Sequence, residues 1–139
     1  MQAITKELLK KLKNANDIEA FLKANEDKFI NKNTSDYLNE LINVKEISVA
    51  SVAKASGAGE YVYKIFNGDR KPSRDITISI ALGMKLSLDE TQFLLRISKF
   101  AILDSRNKRD SVIIYAISHG LTITETDDLL YQTNELTIN

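Results

Sequence analysis

The stretch SVASVAKASGAGEYVYKIFNGDRKPSR, residues 48–74, decides how this chain is read. It predicts two short helices joined by a glycine-bearing turn, then a basic loop and the cap of a further helix. Ala50, Val52 and Ala53 give the first helix small apolar residues. Gly57 and Gly59 supply the sharp turn, because glycine enters the left-handed region without a Cβ penalty. Val62, Ile65 and Phe66 fall at the i, i+3, i+4 spacing of one buried helical face. Glu60, Tyr61, Tyr63 and Lys64 are thereby left on the other side. Asn67-Gly68 stops the second helix, and Arg70, Lys71 and Arg74 set three cations around Pro72. A helix with one open face that ends in a basic loop suits the major groove of a duplex.

Working outward, the same residues resemble the Cro/repressor-type (XRE) helix-turn-helix family. The likeness rests on V-A-K-A-S-G (52–57), V-Y-K-I-F-N-G (62–68) and R-K-P-S-R-D (70–75), and covers roughly residues 35–98. The Ile-Phe-Asn-Gly ending with its basic tail is similar to small regulators of Gram-positive bacteria. From Gly57 to Gly68 the spacing is one residue shorter than the family's. Either Ser56 takes the usual glycine place or the turn is tightened. The resemblance implies a lambda-repressor-like core at 35–100. With the helical periodicity and the repeat at 74–95 and 109–130, the expected fold is all-α, with an N-terminal helical extension at 1–34 and a C-terminal helical hairpin at 101–139 packed on the core. The resemblance implies double-stranded DNA as the partner, with Ser48, Gly59, Glu60, Tyr61, Tyr63, Lys64, Asn67, Arg70, Lys71 and Arg74 as DNA-contacting residues. Two functions follow from it. One is sequence-specific transcription regulation. The alternative is a protein-interaction module on the same scaffold, such as an antitoxin, an anti-repressor or a regulator of a partner enzyme.

Helical periodicity runs nearly throughout, and about seven or eight helices are expected. Ile4, Leu8 and Leu12 make one amphipathic stripe; Ile18, Phe21 and Leu22 make a second, capped near Asn16. These N-terminal helices are the expected surface for a homodimer or a protein partner. Ser35 is expected to cap a third helix through Leu38, Leu41 and Ile42, and Ser73 another, with Asp75 in its first turn. Residues 74–95 then align without gaps to 109–130, with nine of twenty-two pairs identical, among them Arg74/Arg109, Asp75/Asp110 and Ile78/Ile113. Each copy carries a capping box, Ser87 with Glu90 and Thr122 with Glu125. Two similar helical hairpins are expected, one stacked on the other.

Charge and composition narrow the chemistry. Nineteen basic and nineteen acidic residues give a net charge of zero, so indiscriminate nucleic-acid binding is not expected. Residues 51–75 nevertheless hold Lys54, Lys64, Arg70, Lys71 and Arg74 against Glu60, Asp69 and Asp75. The second basic cluster, Arg106, Lys108 and Arg109, reads as a solvated helix start paired locally with Asp110. His119 is the one histidine and there is no cysteine, which leaves no zinc site of the usual nitrogen-sulfur kind. His119 before Gly120 reads as a helix-end cap. No nucleophile elbow or phosphate-cradling loop occurs, so no catalysis, metal or cofactor is expected. The absence of cysteine fits a reducing cytoplasm, no apolar run approaches a membrane span, and MQAITKELLKKLK does not read as a secretory leader.

Overall fold

The computed structural model describes residues 2–29 and 32–139, with side chains from Thr5 onward; the side chain of Ile4 lies outside the described residues. The described residues are all-α: nine α-helices, one 3-10 turn and no strand. They fall into two compact units, residues 1–31 and 32–139. The expected core at 35–100 and hairpin at 101–139 therefore share one unit.

In the first unit, α1 spans Gln2–Lys13 and α2 spans Ile18–Ala24, followed by a 3-10 turn at Glu26–Lys28. The cap of α2 is Asp17, not Asn16. Its carboxylate accepts from the amides of Glu19 and Ala20, and an ionised acceptor serves the positive helix end better than an amide. Phe21 is buried and meets Phe29 edge-on, with ring centroids 6.5 Å apart. Asn25 is also buried and donates to the Phe21 carbonyl (2.8 Å). The stripes are only partly covered: Leu9, Leu12, Ile18 and Leu22 are 42–55% exposed.

The second unit holds α3 (Thr34–Lys45), α4 (Val49–Ser56), α5 (Tyr61–Phe66), α6 (Arg74–Gly83), α7 (Leu88–Ile97), α8 (Lys108–Ser118) and α9 (Ile123–Gln132). Asn33, not Ser35, caps α3, its side-chain Oδ1 accepting from the Asp36 amide (2.8 Å). Two apolar clusters fill the unit. Leu38, Leu41, Val52, Val62, Ile65, Phe66, Ile80 and Leu94 build the first, under α3 to α7. Ile78, Leu82, Leu95, Leu103, Ile113, Ile117, Ile123 and Leu130 build the second, which joins α6–α7 to α8–α9. α4 crosses α6 closely at Gly83. A Cβ there would lie 2.9 Å from the Ser56 amide nitrogen and 3.2 Å from the Ala55 carbonyl carbon, so glycine is what lets the two backbones approach.

Both capping boxes form. Ser87 and Glu90 exchange bonds of 2.9 and 3.1 Å at the start of α7, and Thr122 and Glu125 do the same for α9. Burial pushes the Glu90 carboxyl up, but the Ser87 amide and the Lys45 ammonium (3.1 Å) outweigh it, leaving it below its ordinary 4.5. The Thr122 amide holds Glu125 low. A carboxylate depressed in the folded state contributes stability that is complete above its unfolded value and is lost as pH falls through the folded one. Acid titration followed by circular dichroism should thus show stability falling below about pH 4.5. Exchanging Glu90 and Glu125 together for glutamine should flatten that fall. An unchanged slope would show that other carboxylates govern it.

Candidate nucleic-acid interface

α5 presents two faces for simple reasons of spacing. Val62, Ile65 and Phe66 are 0%, 1% and 4% exposed and enter the first apolar cluster, as their periodicity predicts. Glu60, Tyr63, Lys64 and Asn67 are exposed on the opposite side. The turn before α5 is built on glycine. Gly57 is the left-handed residue (φ 74°), and Ser56 stays helical and fully buried, its hydroxyl oxygen accepting from the Ala58 amide (3.2 Å). Gly59 is also left-handed (φ 62°), so two glycines make the turn while Ser56 remains in α4. The Asn139 side chain donates to the Ser56 carbonyl (3.2 Å) and rests against Gly57.

The far end of α5 is tied to α3. The Phe66 carbonyl, one of the orphan acceptors at a helix end, takes hydrogen bonds from the Ser35 hydroxyl (2.6 Å) and the Asn39 amide (2.8 Å). Ser35 thus anchors α5 instead of capping α3. Neither role was legible locally, because each residue bonds to a carbonyl 27 or more positions away.

The basic loop is anchored by backbone and open by side chain. The amides of Asp69 and Arg70 both donate to the Lys64 carbonyl (2.9 and 3.3 Å), folding the loop back along α5. Tyr61 is half-buried against the first cluster, and its hydroxyl donates to the Lys71 carbonyl (3.1 Å). Pro72 is buried. Arg70, Lys71, Lys64 and, on α4, Lys54 are all exposed, and none makes an ion pair among the described residues. Ser48 is the α4 N-cap, its hydroxyl oxygen accepting from the Ser51 amide (3.1 Å).

Arg74 departs from the expectation that it joins this loop. Its guanidinium binds Asp110 through both terminal nitrogens (3.2 and 3.0 Å) and reaches the carbonyls of Ala101 and Ile102. A buried carboxylate outcompetes water for a planar, forked donor, so Arg74 belongs to the junction of the hairpins. Arg109 likewise pairs with Asp75 (2.9 Å), not with its neighbour Asp110, while Arg106 pairs locally with Asp104 (3.0 Å). His119 is the C-cap of α8, its Nδ1 lying 2.8 Å from the Tyr115 carbonyl.

No protein-family model, curated protein or solved structure matches the chain. What the surface can do therefore rests on its own chemistry. It offers four unpaired cations and an exposed tyrosine on a scaffold that fixes the backbone beneath them. Unpaired lysines and arginines on a fixed backbone suit phosphate oxygens, and a side chain such as Lys64 suits the acceptors of a guanine edge. Among the described residues no group of histidine, cysteine or acidic side chains is able to hold a metal ion, and no helix is long and apolar enough to cross a membrane.

Proposed function

We propose that this protein is a sequence-specific DNA-binding transcriptional regulator acting in the cytoplasm, with α4 and α5 as its helix-turn-helix, in the manner of the family it resembles. One observation carries the reading: Lys54 on α4, Lys64 on α5, and Arg70 and Lys71 in the loop after it are exposed, with no acidic partner within 4.0 Å among the described residues. Elsewhere on the unit Lys32, Lys45, Arg74, Arg106 and Arg109 are paired, while Lys85, Arg96, Lys99 and Lys108 also lack a carboxylate partner among the described residues. What suits the first four to an anion supplied from outside is their place, on two successive short helices and the loop that follows them. Arg70 and Lys71 would position the protein on phosphates, while Lys64 and Tyr63, on the exposed face of α5, would meet base edges. Glu60 at the start of α5 would favour a cytosine amino group over a phosphate.

Lys64 tests the base-reading part. Lys64→Ala should alter base preference at one or two positions of the bound site, by about 1–3 kcal/mol, in a selection from randomised duplexes. A uniform loss of affinity with unchanged preference would make α5 a positioning element only.

The protein-interaction reading is favoured by a different observation. Leu9, Leu12, Ile18 and Leu22 leave the first unit with a half-open apolar surface, and a region this small does not bury enough to be stable by itself. We therefore assign partner or homodimer contact to that unit and DNA contact to α5 and its loop. The two roles coexist in a regulator. Binding measured against salt on DNA upstream of the protein's own gene separates them, because a partner-only module has no phosphate contacts to release counterions.

A further inference from the structure

The two hairpins are related by more than sequence. With an offset of 35 residues, several structural details of α6–α7 recur in α8–α9. Arg74 takes the carbonyls of Ala101 and Ile102, and Arg109 takes those of Leu136 and Thr137. Gln92 accepts from the Leu103 amide, and Asp127 from the Ile138 amide. Lys85 and Gly120 share a left-handed backbone, as do Lys99 and Asn134.

The contacts between the hairpins obey a stricter rule. Arg74 pairs with Asp110, and their equivalents Arg109 and Asp75 pair with each other. α6 packs on α9, and α8, the equivalent of α6, packs on α7, the equivalent of α9. The Lys85 ammonium donates to the carbonyl of Gly120, its own equivalent (2.6 Å). Five equivalent pairs make up most of the shared core: Ile78/Ile113, Leu82/Ile117, Leu88/Ile123, Leu95/Leu130 and Leu103/Ile138. A screw or translation would send the Arg109 contact on to a third copy. Only a two-fold sends it back to the first, and a residue that meets its own equivalent lies beside the axis. This is the signature of an isologous interface.

We infer that the outer face of α6–α7 is self-complementary, fitting the same face of a second copy, and that α8–α9 is a built-in second copy that fills it. The chain is a closed pseudo-dimer at this face. One α5 accompanies each closed pair, so a symmetric assembly of chains has to use another surface. The inference stands on the hairpin geometry alone and does not need the DNA reading.

Replacing residues 108–138 of the full chain with the sequence of residues 73–103 tests it. The symmetrised protein should be helical, melt in one cooperative transition, and show the native chain's mass by light scattering, a ratio of one. Loss of the cooperative melt would mean that a second α6–α7 does not fit the face, which overturns the inference. A folded protein of twice the native mass would also overturn it, because the face would then be filled from another chain.

Discussion

Gly83→Val should lower the unfolding free energy by about 3 kcal/mol, the upper end for overpacking a tight contact. A Cβ at this position meets backbone atoms of Ala55 and Ser56 at 2.9–3.2 Å, and backbone cannot rotate aside as a side-chain tip can. The branched side chain would force α6 away from α4, loosening the cluster in which Val52, Ile80 and Ala81 are at most 1% exposed. Gly83→Ala should cost less, because alanine regains about 1 kcal/mol of helix propensity. The equivalent position in the second hairpin, Ser118, is exposed. Ser118→Ala is the internal control and should stay within about 0.5 kcal/mol. Urea unfolding with an unchanged slope but a lower midpoint is the expected signature. A valine variant as stable as the native chain would show that the α4–α6 crossing is not set by this contact.

Asp110→Ala should cost roughly 2–3 kcal/mol, through loss of acceptors rather than of attraction. The Asp110 side chain is 8% exposed and accepts from Arg74 twice and from the Asp104 amide (3.1 Å). Its removal leaves a guanidinium that is only 25% exposed without its carboxylate, and a backbone amide without a partner. Asp75 is 41% exposed and accepts only from Arg109, which keeps the Leu136 and Thr137 carbonyls, so Asp75→Ala strands no backbone amide and should cost less, about 1 kcal/mol. Arg106→Ala, removing a partner that is 89% exposed, should be nearly silent. Equal effects at Asp75 and Asp110 would contradict this ordering by burial.

Features written in local spacing were legible in the sequence, and features made by distant contacts were not. The i, i+3, i+4 pattern of Val62, Ile65 and Phe66 identified the buried face of α5, and both capping boxes were read from residues three apart. The repeat at 74–95 and 109–130 foretold two hairpins. It could not tell that their arginines cross, because local pairing and exchange across a two-fold use the same residues. Ser35 looked like a cap from its place before an apolar stripe, yet Asn33 competes for that role and α5 claims the Ser35 hydroxyl. Tyr61 and Arg74 looked like ligand-facing groups; the hydroxyl of one holds the Lys71 carbonyl, and the other is held by Asp110. In each case a residue suited to bind an outside ligand found a partner within the fold. Gly83 carried no signal, since a lone glycine in a helix does not announce which backbone passes beside it.

Lys54, Lys64, Arg70 and Lys71 stay exposed and free of carboxylates, as contact with phosphate and base edges requires. The most direct test is the salt dependence of binding to DNA from upstream of the protein's own gene, for the native chain and for Arg70→Ala/Lys71→Ala. Each phosphate contact contributes about 0.9 to the log–log slope, so the double variant should bind all sequences more weakly and lose roughly two units of slope. A native slope near zero, or a double variant with native affinity and slope, would contradict the claim and leave the chain as a module for protein partners.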